Sequence, residues 1–406
     1  MTSVPPPSPL HVLRTHTGPV SVLFFSSDNE RIYSGDAKGR VAITSSRTLR
    51  AIANWAAHSD ALLGVEELEN QIISHGRDNK IHVWERPREP ESIREGAAAS
   101  LTDLSIPSLR YSLDVNALNY CRFSLLPMTS QNNGPLALIA LPNLVESSLA
   151  DIWTLPDCSR LHAAIGDPQN ISTTNFSDGR SGRKTAGIVM SIHLFHASQT
   201  SPSTSKAQRE LRLLCAYEDG GVILRRRTSA EDKKTVEGRG WEVIWRSRLH
   251  VESVMAMVVS KDSNFALTVS ADHLVGKYDL VSNASGPGIS EMLPGITFQT
   301  KHPGNASIAI RDDGRVCAIG GWDGKVRLYS TKTFKPLGTL VYHKESCQAL
   351  MFASPFNEGP TGDDGASDED ADYVTVEEKR QRSRWLIAAG RDTRVSIWRL
   401  MSFAKV

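Results

Sequence analysis

The 406-residue chain has no apolar run approaching the roughly 18 residues that a membrane-spanning helix needs. Its opening, MTSVPPPSPL, supplies neither the basic nor the apolar region of a secretory signal, so a setting in the cytoplasm or nucleus is expected. Cysteine is scarce: Cys121, Cys158, Cys215, Cys317 and Cys347 lie far apart with no CxxC pair, which excludes a disulfide framework or zinc knuckle and suits reduced, buried thiols. An excess of one charge is missing too. The 46 Lys and Arg against 45 Asp and Glu leave a net charge of +1, too little to draw the chain to nucleic acid or an anionic membrane. Neither G-x-x-x-x-G-K-[ST] nor G-x-S-x-G occurs, so phosphate-cradling loops and hydrolase elbows are not expected, and no cofactor, metal or catalytic residue is assigned. The sequons at Asn175 and Asn305 count as chance matches without secretion.

What is present is a repeat. With 40% hydrophobic residues the chain can bury a large core, and IISHGRDNKIHVW, residues 72 to 84, reads as two short strands around the turn GRDN. His58 precedes Asp78 by twenty residues and Trp84 follows it by six. The unit recurs as His250, Asp272 and Tyr278, as His302, Asp323 and Tyr329, and as His343, Asp392 and Trp398. Three further copies are eroded: His16 is followed by Lys38 and Thr44 in place of the aspartate and aromatic, Asp219 by Arg225, and the third copy keeps only its strand pattern and Trp153. The turn positions 38, 78, 147, 219, 272, 323 and 392 are at least 40 residues apart, the period of a four-stranded propeller blade.

These residues resemble the WD-repeat family along essentially the whole chain. The expectation is an all-β fold: a single seven-bladed WD-repeat β-propeller with polar loop insertions, its approximate blades at 16–55, 56–107, 108–160, 161–240, 241–295, 296–340 and 341–406. Only eight residues follow Trp398, whereas PLHVLRT, residues 9 to 15, alternates ahead of His16; this strand is expected to complete and close the last blade. The resemblance implies that histidine, hydroxyl, aspartate and aromatic form a buried structural set. Its members are His58, Ser74, Asp78 and Trp84; His250, Thr268 and Asp272; His302 and Asp323; His343, Asp392 and Trp398. Ile319 and Ala388 leave blades six and seven without the hydroxyl. A serine, a histidine and an aspartate could also be a hydrolase triad, but a nucleophile scattered in partial copies would serve no single site.

The excess length lies in polar insertions, where chain closure costs little. That at 355–384 is acidic and expected to be disordered, with Ser367 ahead of DED as a candidate phosphosite that would add to a docking tag, against the plainer role of a solubilising loop. Residues just before the turn aspartates, Arg77, Trp322 and Arg391 with Glu218, are the candidate partner contacts, because Trp and Arg are enriched at interface hot spots. The Arg225, Arg226 and Arg227 run reads as a solvated edge rather than a nucleic-acid patch.

PPPSPLHVLRTHTGPVSVLFF, WAAHSDALLGVEELENQIISHGRDNKIHVWE and AAGRDTRVSIWRL resemble, more narrowly, the ASTRA-associated branch of fungal WD-repeat proteins, related to G-protein-β-like propellers. That resemblance implies a non-enzymatic nuclear scaffold, monomeric within a larger complex. Its partners would be ASTRA subunits and the co-chaperone machinery that matures phosphatidylinositol-3-kinase-related kinases. A Gβ-like signalling adaptor would carry an N-terminal coiled coil where this chain has a proline-rich segment, and a ubiquitin-ligase substrate receptor would need a recruiting domain beyond the seven blades.

Overall fold

The computed structural model describes residues 7–88, 104–128, 136–166, 187–198, 209–228, 234–281, 295–356 and 375–401. They form seven four-stranded sheets, the blades of a β-propeller. Two compact units divide them: one draws on the spans 1–78, 82–112 and 309–406, the other on 79–81 and 113–308.

The first unit carries blade one (Val20–Phe25, Arg31–Asp36, Arg40–Ser45, Ala51–Ala56) and most of blade two (Leu62–Leu68, Gln71–Gly76, Lys80–Glu85, Leu109–Asp114). Most of blade six (Asn305–Ile310, Val316–Gly321, Lys325–Ser330, Pro336–Val341) and blade seven (Cys347–Phe352, Trp385–Gly390, Val395–Arg399) belong to it as well. The second unit carries blade three (Ser124–Pro127, Ala137–Pro142, Ala150–Leu155, Ser159–Ile165) and blade four (Val189–Ser198, Arg209–Tyr217, Gly221–Arg227, Trp241–Arg248). Blade five (Val254–Val259, Phe265–Ser270, Leu274–Asp279, Gly295–Gln299) completes it.

Second strands such as WLIAAG, VCAIGG and ALIALP are buried at all six positions, which is why they read as short apolar runs rather than strict alternations. Each is covered on both faces. Val22, Tyr33 and Ile43 of blade one pack with Leu62, Val65, Ile72 and Trp84 of blade two, where Trp55 and Trp84 meet edge to face at 5.8 Å. Outer strands such as PLGTLV stay exposed and carry little apolar load. The inner strands of five blades share a register shift after their first residue, at Val20/Val22, Leu62/Gly64, Val189/Ser191, Val254/Ala256 and Cys347/Ala349, a bulge that raises local twist.

The N-terminal strand His11–Leu13 pairs antiparallel with Val395–Ile397 and supplies the outer strand of blade seven. Leu10 N–H donates to Ile397 O at 2.7 Å, and Leu13 enters the cluster with Val20, Ile32 and Trp385.

Elsewhere the boundaries differ from the sequence reading. The outer strand of blade two is Leu109–Asp114, which the sequence spacing assigns to blade three, because the insertion precedes that strand instead of following it. Trp241–Arg248 likewise belongs to blade four. At the end of the 355–384 insertion Val376–Arg382 is helical, whereas the insertion's centre, where disorder is expected, lies outside the described residues. The cause of the helix is legible as T-x-x-E: Thr375 Oγ1 accepts from Glu378 N–H while the Glu378 side chain accepts from Thr375 N–H, a reciprocal cap. Ser367 lies outside the described residues.

Deletion of residues 1–15 is expected to lower the thermal midpoint and leave Val395–Arg399 as a raw edge that pairs between chains. Calorimetry with light scattering checks this; an unchanged midpoint and a monodisperse product would contradict it.

Candidate functional site

Blade two shows how its polar residues are spent. The turn after Gln71–Gly76 brings Asp78 to the loop that leads into Leu62–Leu68, where His58 Nδ1–H donates to Asp78 Oδ1 at 2.8 Å. Trp84 Nε1–H donates to Ser74 Oγ at 2.9 Å, and the Ser74 hydroxyl donates in turn to His58 Nε2 at 2.8 Å. The indole can only donate and the carboxylate only accept; a neutral imidazole with its proton on Nδ1 completes a one-way chain of bonds through the serine hydroxyl. Asp78 Oδ2 also accepts from Ser59 N–H at 2.9 Å. Gly76 is required beside this set, since a Cβ there would sit 2.4 Å from His58 Nδ1.

Three other blades reach the same end by partly different residues. In blade five, His250 bonds Asp272 at 3.0 Å and Thr268 Oγ1 at 2.8 Å. In blade seven, His343 bonds Asp392 at 2.9 Å, and the hydroxyl missing at Ala388 comes from the facing strand: Ser396, paired with Ala388, lies 2.8 Å from His343 Nε2 and accepts from Trp398 Nε1–H at 2.9 Å. In blade one the acid missing at Lys38 is supplied by Asp36, whose Oδ2 is 2.8 Å from His16 Nδ1, with Ser34 Oγ 2.8 Å from Nε2. Blade seven therefore holds a complete set, and blade one every member but the aromatic, that a fixed spacing does not reveal. Blade six corrects the opposite way. His302 is exposed and does not meet Asp323; the Arg327 guanidinium binds that carboxylate in a fork at 3.1 and 2.5 Å, filling the space an imidazole would take.

Blades three and four use other chemistry. Asn116, Asn119 and Asn143 are buried, and Asn143 Nδ2 donates to Asp151 Oδ1 at 2.8 Å. Arg225, expected on a solvated edge, is buried and donates to Tyr217 Oη at 3.1 Å.

The distances within His58, Ser74 and Asp78 are those of a hydrolase triad, yet Ser74 is 0% exposed and its oxygen is already bonded twice. Among the described residues, His58, Asp78 and His82 are the one group of three whose ligand atoms lie within 4.8 Å of one another. The His58 and His82 rings stack at 4.6 Å and 22°, and both His58 nitrogens are engaged by Asp78 and Ser74, so the group does not converge on an ion. A recess of about 490 Å³ is lined by Arg311, Asp312, Asp313, Phe352, Ser383 and Arg384 among others; its hydroxyl and one of its carboxylates are engaged, Ser383 Oγ donating to Arg380 O at 2.8 Å and Asp313 pairing with Arg311. Cys121, Cys215, Cys317 and Cys347 are buried and unbridged, and burial pushes the Cys121 and Cys215 thiols up, away from reactive thiolate.

What remains is the outward row. The backbone N–H groups of Arg77, Glu218 and Arg391 donate to Ala61, Ile188 and Ser346 carbonyls at 2.9, 3.1 and 3.0 Å, holding equivalent turn positions from which all three side chains are exposed. Trp322, at the same position of blade six, is 50% exposed. Arg77, Trp322 and Arg391 belong to the first compact unit and Glu218 to the second. No helix among the described residues is long and apolar enough to cross a membrane.

The WD domain, G-beta repeat family matches residues 7–44 and 296–330. The chain is 32% identical over 410 residues to ASTRA-associated protein 1 of Verticillium alfalfae, covering 97% of this chain and 92% of that protein. It is 31% identical to ASTRA-associated protein 1 of Aspergillus flavus, covering 97% of each. Among solved structures, the β-propeller domain of Myceliophteria thermophila Cps50 (Swd1) superposes with a TM-score of 0.62 at 14% identity, over 98% of this chain and 100% of that one, a likeness of fold alone.

Ser74→Ala and Ser396→Ala each orphan an imidazole nitrogen and an indole N–H, an expected loss of about 1–3 kcal/mol in denaturant unfolding. His302→Ala should stay within about 0.5 kcal/mol. Equal losses at Ser74 and His302 would refute the assignment of the sets.

Acid should unfold the protein in two stages. Burial, and after it the Arg227 charge, push His162 down to about 4, and burial lowers His58 as well against the pull of Asp78. Unfolded imidazoles take up protons from pH 6.5 downward while these resist, so stability is full above 6.5 and drains toward the folded values. Asp36 and Asp78 are raised by burial but lowered further by their hydrogen bonds to His16 and Ser59 respectively, ending below 3.8; their share is lost only as pH falls below that. The thermal midpoint of His162→Gln should fall less steeply than wild type between pH 6.5 and 4; parallel profiles would count against the scheme.

Proposed function

Because this chain belongs to the ASTRA-associated protein 1 family of WD-repeat proteins, we propose that it is a non-enzymatic nuclear scaffold, a subunit of an ASTRA assembly. In that role it acts in chromatin regulation and with the co-chaperone machinery that matures phosphatidylinositol-3-kinase-related kinases. The observation that carries this reading is the likeness to ASTRA-associated proteins over 97% of the chain. The structure adds support of a different kind. The histidine, hydroxyl and carboxylate groups of the repeated sets bond one another within blades one, two, five and seven, which favours recognition by outward side chains over chemistry at those sets. Trp322, half exposed on a turn closed by Gly324 N–H donating to Gly321 O at 3.1 Å, has the character of an anchor that a partner covers.

Affinity purification of the tagged full-length chain, scored for large kinase-related and co-chaperone subunits, tests the assignment. Trp322→Ala combined with Arg77→Glu should abolish that co-purification while leaving the melting midpoint of the purified protein unchanged. Retention of those subunits by the double variant would exclude this surface, and their absence from the wild-type eluate would exclude the assembly.

A further inference from the structure

Blade three departs furthest from the repeated plan, and what it displays in exchange is apolar. In its two loops, Leu118 is 70% exposed, Tyr120 55%, Leu144 38% and Val145 89%. Large apolar groups gathered on facing loops are unusual on a surface with no partner. Beneath them the loops are tied together by amides: Asn116 Nδ2 donates to Asn143 O at 2.5 Å, and Asn119 Nδ2 to Ser147 O and Val189 O at 3.3 Å. Asn116 and Asn143 also accept from the Leu118 and Val145 N–H groups at 2.7 and 3.0 Å. The apolar side chains are thus held on a rigid base, and binding there orders little.

The surface continues into blades four and five. Glu218 N–H donates to Ile188 O at 3.1 Å, beside the Val189 carbonyl that Asn119 reaches. A Cβ on Gly220 would lie 2.4 Å from His250 O, which places the loop bearing Val251, 75% exposed, against the blade-four turn. In residues 115–123, 143–149, 187–189, 218–220 and 250–253 the carboxylates are Glu146, Glu218, Asp219 and Glu252, and the one fixed cation is Arg122. A near-neutral chain has concentrated negative charge around exposed leucine and valine.

We propose that these loops of blades three to five dock an amphipathic helix of a partner protein, apolar along one face and flanked by lysine or arginine. A helix suits them better than an extended strand, because the N–H groups of Leu118, Val145 and Glu146 already bond to asparagine side chains and offer no ladder to a β-strand. The inference stands on geometry and charge and does not rest on the ASTRA reading.

The test uses a labelled synthetic peptide of leucine and lysine patterned to line one helical face, with its scrambled isomer as control, read by fluorescence anisotropy against the full-length protein. The patterned peptide should bind and the scrambled one should not. Leu118→Ser with Val145→Ser should weaken binding by about tenfold or more, as for loss of interface anchors. Glu146→Lys with Glu252→Lys should weaken it too and flatten its salt dependence. If Leu118→Ser lowers the melting midpoint, Val145→Ser alone carries the test. Equal binding of the scrambled peptide, or indifference to either pair of substitutions, overturns the proposal. So does concentration-dependent dimerisation that Val145→Ser abolishes, since the occupant would then be a second copy of the chain.

Discussion

A four-stranded blade has two loose ends on one side, the loop leading into its inner strand and the turn after its second strand, and the structure depends on joining them. A neutral imidazole suits this because it is a connector with one donor and one acceptor on a rigid ring. His58 uses the first on Asp78 and the second on Ser74, and Trp84 locks the serine from the third strand. Removing any member leaves a buried polar group without its bond, which costs more than the bond itself is worth.

The blades show that the join is required and the residue is not. Ser396 replaces a hydroxyl from across the ladder, Asp36 replaces an acid from two residues earlier, and Arg327 replaces an imidazole outright. Blade three makes its join with asparagine amides, which carry donors and acceptors but no charge. Each solution passes the same test, buried groups paired with good geometry. A carboxylate such as Asp78 is thereby held ionised although burial opposes it, and burial keeps His58 neutral even beside that charge.

This use of polar residues bears on function. Serine, histidine and aspartate stand at triad distances in blade two, but the hydroxyl faces the protein interior and has an indole bonded to it. Chemistry needs a reacting atom within reach of the oxygen. Recognition needs only what projects from turns that the joins hold still, and Trp322, Arg391 and the apolar loops of blade three project in that way.

Much of this could be read directly from residue order. The count of blades, the strand that pairs His11–Leu13 with the C-terminal segment, and the aspartate partners of His58, His250 and His343 all follow from the recurring motif, because each blade repeats the same order of strands and turns. Ser396, Asp36 and the isolation of His302 do not follow. Each depends on which side chain fills a given volume, and a residue on a neighbouring strand can fill it as well as one on the expected strand. The capped helix at Val376–Arg382 was legible in T-x-x-E and was obscured by the acidic composition around it. Sequence alone determined the repeated architecture, since strand period and turn chemistry are local. Only the tertiary structure decided which polar groups meet and which apolar ones face water, since both depend on neighbours distant in sequence.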